Sequence, residues 1–384
     1  MPLRDPHDPE GLRDAGRRRT LATLAVTCAA AAAARGALAA GDDDRVDLER
    51  LIQVHRRYIL DRQLDDGALP DSHDFINPYF ANIAIAGLLD IPDDDARDNE
   101  AAARRWFTWY LAHADRSDAN RWQIRGTIAM YDIRGGSEVA RDDASNVDAN
   151  PGTLLAALLA FARRGGKAAR EFVASNHDEL REIADVMVAL EDHGLTWVKP
   201  DYRVKYLIDN CQVLRGYEDG AQLFRMIDDA DGTARFEQHA ASLRRAIETR
   251  LWNAADQSFY YDLDAHDHGQ PVDWTAWYAP RGAVSQLFPL IYGVLDPGDP
   301  RAVALYRRFN EAFPRWPDLD KPDEFPWSSV SYAAARMGDV ARARRFLAAV
   351  ERRHGRNGYR WPWHLEESGW VLRAAALVRA REGR

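Results

Sequence analysis

The chain has 384 residues and a formal net charge of −9 at neutral pH. This acidic balance excludes a general attraction to nucleic acids or anionic membrane surfaces. The length exceeds one ordinary compact core, but helical toroids of this size form single domains, so we expect one large domain. Of the two cysteines, Cys28 lies in a segment expected to be removed, which leaves only Cys211 and no internal disulfide.

Residues 1–39 have the pattern of an export signal. Arg17-Arg18-Arg19 precede an apolar run over 21–34, and Ala37-Leu38-Ala39 fits a small-residue cleavage site. The run is too short to span a bilayer comfortably. The arginines fit a twin-arginine signal as well as an ordinary secretory signal. We therefore expect a periplasmic or secreted mature chain, 40–384, without a membrane span.

Helical periodicity dominates the rest of the chain, and strand-like alternation is nearly confined to 258–263. One set of predicted helices is amphipathic and rich in charged residues, which is typical of helices with one face exposed to solvent. These helices are predicted over 45–63, 97–114, 175–193, 233–252, 299–313 and 339–354.

A second set of segments alternates with the first and is rich in Ala, Gly, Leu and Ser, which allow close helix packing. They are predicted over 77–90, 150–163, 207–225, 281–295, 325–337 and 366–380. Six outer and six inner helices in alternation predict an all-α fold, the (α/α)6 barrel, in which an outer ring surrounds an inner ring.

The loops before the inner segments share a chemistry. They combine carboxylates with aromatic or amide side chains and read PDSHDFINPY, DDASNVDANP, KPDYRVKYLIDN, DWTAWYAPRG, PDEFPW and GYRWPWHLEESG. Because parallel inner helices would bring all six loops to one end of the barrel, we expect a cleft there.

Asp148 lies in one of these loops, in the sequence SNVDANPGTLLAALLAFAR. Its simplest role is helix capping, since Asp and Asn accept free N–H groups of a first helical turn and Pro151 suits the first helical position. The recurrence of acidic loops around the ring adds a catalytic alternative.

The alternation resembles that of the six-hairpin glycosidase superfamily. ASNVDANPGTLLAALLAFAR is similar to the family eight segment in which Ser-Asp-Ala-Asp precedes a small-residue helix, with Asp148 in the matching place. LWNAADQSFYY resembles a Leu-Trp turn that recurs in such barrels. The resemblance implies a glycoside hydrolase with a catalytic Asp at the start of an inner helix, and a mostly inverting mechanism.

Glycoside hydrolysis needs two carboxyl groups, one to protonate the leaving oxygen and one to activate water or attack the sugar. Asp148 and Asp209 are the predicted pair, and capping is the alternative for both. Further candidate acids are Asp71, Asp74, Glu218, Glu366 and Glu367.

Carbohydrate contacts are predicted for aromatic and polar residues of the same loops, because aromatic faces stack on pyranose rings. The predicted binding residues are Asp74, Asn77, Tyr79, Lys205, Tyr206, Asn210, Trp274, Trp277, Arg281, Trp327, Trp361, Trp363 and Glu367. A carbohydrate is thus the expected partner, and the sequence leaves the oligomeric state open.

No metal-binding spacing, phosphate loop or serine nucleophile elbow is found, so neither a metal nor a cofactor is expected. Two other functions stay open. A polysaccharide lyase acting on a uronic-acid polymer would use Tyr206, Tyr278 or His364 as a base. A glycan-binding toroid would keep the aromatics without a working acid pair.

If the export signal is cleaved, the mature protein should begin near Ala40 and be found outside the cytoplasm. N-terminal sequencing of protein from fractionated cells tests this expectation. An intact Met1 on most of the cellular protein would contradict it.

Overall fold

The computed structural model describes residues 46–383, apart from 72–73, 92–95, 119 and 145. The predicted export signal, 1–39, therefore lies outside the described residues. In chain order the α-helices are α1 (Leu48–Leu60), α2 (Pro78–Asp90), α3 (Ala96–His113), α4 (Ala149–Arg164), α5 (Gly166–Ser175), α6 (His177–Ala189), α7 (Leu207–Met226), α8 (Ala230–Ala246), α9 (Phe288–Ile291), α10 (Pro300–Ala312), α11 (Ser329–Met337), α12 (Val340–His354) and α13 (Leu365–Glu382).

The helices form an all-α (α/α) barrel, as predicted. The inner ring is built from α2, α4, α7, α9, α11 and α13, and the outer ring from α1, α3, α6, α8, α10 and α12. Inner helices such as α2 and α7 are buried on nearly every side, whereas outer helices such as α1 and α12 bury one face. This difference in burial explains why the inner segments are rich in small and apolar residues and the outer helices are rich in charged residues.

Short strands decorate the loops. They are β1 (Phe75–Ile76), β2 (Tyr131–Arg134), β3 (Ser137–Ala140), β4 (Glu191–Asp192), β5 (Leu195–Thr196), β6 (Lys205–Tyr206), β7 (Trp252–Asn253), β8 (Ser258–Leu263) and β9 (Gly269–Pro271). All pairings are antiparallel, in the orders β1-β2-β3, β4-β5 and β6-β8-β7, with β9 on β8. The strand predicted over 258–263 is confirmed as β8.

The inner helix predicted over 281–295 is wrong in its extent. The structure has a 3-10 turn, Ala283–Leu287, followed by the single α-helical turn α9. Pro289 is tolerated there because it lies in the first turn of α9, where its missing N–H leaves no bond unmade. Gly293, with φ +81°, then ends the helical path.

Two pairs of inner helices cross at glycines. A Cβ on Gly216 of α7 would overlap the Cα of Gly152 on α4. A Cβ on Gly87 of α2 would lie 2.5 Å from the Cα of Gly369 on α13. Backbone therefore lies directly against backbone at both crossings, which only a residue without a side chain allows.

The neighbours α4 and α7 run in the same direction. Gly152 lies against Gly216, and further along both helices Leu155 lies against Gly220. Because the residue numbers rise together, the first residues of α4 and α7 lie at the same end of the barrel.

Among the residues that the structure describes, no helix combines the length and the apolar character needed to cross a bilayer.

Replacing Gly216 by Ala should destabilise the protein by about 1–3 kcal/mol, because the added methyl overpacks a contact between two backbones. Gly220→Ala on the same helix is the matched control. Its Cβ would meet only the flexible end of Leu155, at 3.3 Å, and should change stability by less than about 1 kcal/mol. Urea unfolding measures both. Equal effects would contradict backbone contact as the constraint.

Candidate active site

The first residues of the inner helices surround one mouth of the barrel. Tyr79 lies in the first turn of α2 and Asp209 in the first turn of α7. Glu366 lies in the first turn of α13. Both carboxyl groups act on Tyr79: burial first, then Tyr292, Glu366 and Asp209, raise the pKa of its phenol well above the usual range. The charges of two acidic side chains therefore act on one buried tyrosine.

Asp209 is enclosed by aromatic side chains. It is 3% exposed, and its charge also raises the pKa of Tyr278, after burial and Tyr261. Glu366 is less deeply buried and lines a narrow cavity together with Tyr79 and Trp327. Asp209 is thus buried beside tyrosines, whereas Glu366 is half-buried at a narrow cavity, so the surroundings of the two acids differ.

A continuous arc of rings leads away from Asp209. Centroid distances are 4.3 Å from Trp327 to Tyr278, 6.4 Å on to Tyr261, 5.7 Å to Tyr206 and 6.5 Å to Tyr202. Trp327 is buried at one end, whereas Tyr202 is exposed at the other. The arc therefore runs from the interior of the mouth to the surface.

Trp327 is held in a strained conformation. Its φ of +60° is in the left-handed region, which is costly for a bulky side chain. Glu367 of α13 accepts its backbone N–H at 3.0 Å and that of Ser328 at 2.7 Å. Asp323 accepts the indole N–H at 2.9 Å. Glu367, predicted to bind substrate, thus fixes this ring at the mouth.

The first loop and the last helix are joined at the mouth. Asp71 accepts the backbone N–H of Leu365 and lies 2.7 Å from Nδ1 of His364. His364 is stacked on Phe325, at 5.2 Å between centroids, beside the exposed ring of Trp361. Asp71 therefore caps α13 and closes the ring of helices.

Asp148 is completely buried at the start of α4. Oδ1 accepts the N–H of Ala149 at 2.8 Å, and Oδ2 accepts the hydroxyl of Thr196 at 2.7 Å. Burial raises the pKa of this carboxyl to about 7, although both hydrogen bonds oppose the rise. Asp148 thus caps α4 and ties it to the β4–β5 hairpin, and a part in catalysis stays a prediction.

Several other predicted binding residues have structural contacts that account for them without a ligand. Asn77 caps α2 by accepting the N–H of Tyr79, and Asn210 bonds the backbone of Thr196. Lys205 is fully buried, with Nζ 2.5 Å from Asp192 and 2.6 Å from Asp267. Their predicted role in binding gains no support from this geometry.

The tryptophans do not converge as predicted. Trp277 is 2% exposed and packs on Phe309 and Phe313, at the outer helix α10, so it belongs to the core. Trp274 lies under the guanidinium of Arg308, 4.2 Å from its ring centroid, also on α10. The expectation that five tryptophans share one cleft is therefore wrong for these two.

Most of the remaining predicted residues lie near the mouth, whereas Glu218 lies further along α7. Asp74 and Arg281 are exposed, and the charge of Arg281 acts on the half-buried Asp262. Trp363 packs on His55 and Tyr359, where it lines a cavity of about 610 Å³ next to His364. Glu218 pairs with Arg244 of α8 at 2.5 Å.

Sequence reasoning missed Tyr261, which completes the arc between Tyr206 and Tyr278. Its signal was the alternation in β8, whose register places Tyr206 opposite Asp262. The pattern was read as a strand, and its place at the mouth depends on its pairing with β6, which is distant in sequence.

One group of possible metal ligands exists among the described residues, at Asp192, His193 and Asp267. The ammonium of Lys205 already bonds both aspartates. Arg250 adds a second positive charge, 2.7 Å from Asp267. The chain's own cations therefore neutralise this group.

No family model matches the sequence, and no curated protein matches it significantly. Solved structures do match. A structure named "Glycosidase Wild Type" aligns with a TM-score of 0.63 at 15% identity over 86% of this chain and 97% of its own. The GH63 mannosylglycerate hydrolase from Thermus thermophilus in complex with glucose gives 0.57 at 13% identity, over 86% and 100%.

A β-1,3-1,4-glucanase from Paenibacillus sp. X4 gives a TM-score of 0.52 at 11% identity, over 86% of this chain and 91% of its own. At these identities the similarity establishes the fold. The chain therefore has a helical barrel fold found in several glycosidases.

Asp148→Asn should change the pH dependence of stability. Between pH 3.8, the ordinary pKa, and about 7, the folded chain keeps a proton that the unfolded chain has lost. The free energy of unfolding should therefore fall as the pH rises through this window. Asn cannot ionise, so the stability of the variant relative to wild type should rise by up to about 1.4 kcal/mol per pH unit.

Urea unfolding between pH 5 and 8 measures this change, with Asp65→Asn at an exposed position as control. A difference from wild type that is the same at every pH would show that Asp148 does not titrate in this range.

Proposed function

We propose that this protein is a glycoside hydrolase that uses Asp209 and Glu366 as its two carboxyl groups. The observation that carries the proposal is the position of both acids in first turns of inner helices, Asp209 on α7 and Glu366 on α13, near enough to Tyr79 for both charges to act on it. The pair retains the predicted Asp209 and replaces Asp148 by Glu366. Asp148 is enclosed, and both its oxygens already accept hydrogen bonds, whereas Glu366 is half-buried and lines a narrow cavity. The glycosidase names of proteins with this fold support the reaction class.

The proposed substrate is an oligo- or polysaccharide. The accessible part of the arc is its outer end, where the half-buried Tyr206 and the exposed Tyr202 offer aromatic surface that suits the C–H face of a pyranose ring. These two rings lie 6.5 Å apart, so an oligosaccharide would reach them while one of its sugars lies at the two acids.

In the proposed reaction, one carboxylic acid protonates the glycosidic oxygen and the other carboxylate activates a water molecule on the opposite face of the sugar. This gives inversion at the anomeric carbon, which is also what the resemblance implies. Proton NMR of the first anomer released tests it, and a product with retained configuration would contradict it.

A lyase that uses Tyr206 or Tyr278 as its base is disfavoured. Burial first, and then neighbouring groups, raise the pKa of Tyr206 and Tyr278 above the usual range, so forming a phenolate base there is costly. A lyase would give an unsaturated product that absorbs in the ultraviolet, and a hydrolase would not.

Asp209→Asn and Glu366→Gln should each keep the fold and lose about two to four orders of magnitude in turnover, the usual range for general acid–base catalysis. A panel of bacterial and plant glycans, read by mass spectrometry, identifies the substrate on which turnover is then measured. Glu218→Gln, also on α7, is the matched control and should keep near-normal turnover.

Asp148→Asn decides between the two candidate partners of Asp209. Under the proposal it should keep turnover within about tenfold of wild type, because it acts as a cap. A loss of a hundredfold or more in Asp148→Asn, with normal turnover in Glu366→Gln, would return the catalytic role to Asp148. Absence of any cleavage across the panel would favour a glycan-binding toroid.

A further inference from the structure

A second cavity, of about 550 Å³, lies at the barrel end opposite the mouth. Its wall includes residues from the last turns of α2, α4, α11 and α13. Five arginines line it: Arg163, Arg215, Arg336, Arg373 and Arg381. Only two lining residues are acidic, Asp90 and Asp219, so the cavity has an excess of positive charge in a protein whose net charge is −9.

The two aspartates neutralise only two of the arginines. Nε of Arg215 donates to Asp219 at 2.6 Å, and Nε of Arg373 donates to Asp90 at 2.7 Å. Within the described part of the chain, Arg163, Arg336 and Arg381 have no carboxylate within 4.0 Å. Three guanidinium groups therefore line one cavity without an acidic partner.

Cations at helix C-termini are favourable in themselves, since each helix end carries about half a negative charge. For Arg336, the charge of the helix end only partly offsets the cost of burying a guanidinium group. The pKa of its guanidinium is lowered, first by burial and then by the charges of Arg373 and Arg215, although Tyr332 and Asp296 oppose the shift. Its hydrogen bond to the backbone carbonyl of Ile291, at 2.9 Å, offers only a partial charge in return.

Asp219 supplies a second, independent observation. It is 1% exposed, and its Oδ1 has no hydrogen-bond partner among the described residues. An unmade bond at a buried carboxylate is costly, and Asp219 is one of the residues that line the cavity. Tyr292 and Tyr332 also line the cavity.

We propose that this cavity is a binding site for a phosphate monoester that carries hydroxyl groups, such as a sugar phosphate. Guanidinium groups match phosphate oxygens in charge and geometry, so Arg163, Arg336 and Arg381 would hold the phosphate. Asp219 would accept a hydroxyl of the attached group. The volume falls in the range of small-molecule sites and exceeds the needs of a phosphate ion alone. This site is separate from the proposed active site.

Calorimetric titration of the full mature protein tests the site, with inorganic phosphate, glucose 6-phosphate and glucose as probes at constant ionic strength. Both phosphates should bind and glucose should not. Glucose 6-phosphate should bind more tightly than phosphate, because only it reaches Asp219. Both phosphates should raise the unfolding temperature above that in sodium chloride of equal ionic strength.

Arg336→Met should weaken binding of both phosphates by about tenfold to a hundredfold, the scale of a lost charged hydrogen bond. Arg163→Met, on the more exposed side, should act in the same direction if Arg336→Met fails to fold. Asp219→Asn should weaken glucose 6-phosphate relative to phosphate. Arg170→Met, on the exposed face of α5, is the control and should bind as wild type does.

Binding that is absent, or that Arg170→Met weakens as much as Arg336→Met and Arg163→Met do, would overturn the proposal and leave the arginines as partners of helix ends alone. These readouts do not depend on turnover. A failed glycosidase assay is therefore distinguishable from a failed binding site.

Discussion

The close approach of the inner helices at paired glycines is the constraint on which the rest of the barrel depends. At Gly152 with Gly216, and at Gly87 with Gly369, backbone lies against backbone. The ring is therefore narrow. Its axis holds a short polar chain in which Nε2 of Gln212 bonds the hydroxyls of both Tyr79 and Tyr292. Tyr79 forms the floor of the mouth, and Tyr292 lines the cavity at the other end.

This geometry explains why acidic residues serve two purposes at the mouth. The inner helices present free N–H groups there, and carboxylates accept them at the starts of α4, α11 and α13. Asp71 and Glu367 do so for a helix other than their own, and thereby tie neighbouring helices together. Asp209 and Glu366 lie in the same ring of helix starts but act on Tyr79. Capping, and the catalysis proposed for Asp209 and Glu366, use one residue type at one location.

The helices were predictable because the extent of burial determines amino-acid composition. Helices buried on one side carry many charged residues, and helices buried on all sides are rich in small and apolar residues. The error at 281–295 came from an apolar run, since periodicity does not separate a helix from a 3-10 turn with a short helix behind it. Pro289 and Gly293 were the residues in this segment that argued against a long helix. The local sequence pattern therefore predicted most helices of the ring. It failed at 281–295, where the chain packs in the inner ring without forming a long regular helix.

The site was less predictable, because roles at the mouth depend on partners distant in sequence. Asp148 is buried by Thr196, and Trp277 is drawn into the core by Phe309 and Phe313 of the outer ring. Neither partner is implied by the sequence around the residue. The six acidic loops predicted a cleft at the end where the inner helices begin, but they did not say which carboxylate would remain accessible there.

Because the ring of helices is closed, the same arrangement in space could be formed by a chain that begins at a different helix. Asp71 joins the first loop to α13, and Arg344 of α12 reaches both the carbonyl of Val46, at 2.9 Å, and Glu382, at 2.9 Å. The two ends of the barrel chain thus lie side by side. A short linker between them, with a new opening in an exposed loop such as 264–268, would give a circular permutant with the same neighbours throughout. If this permutant folds, the barrel does not require the chain to begin at α1.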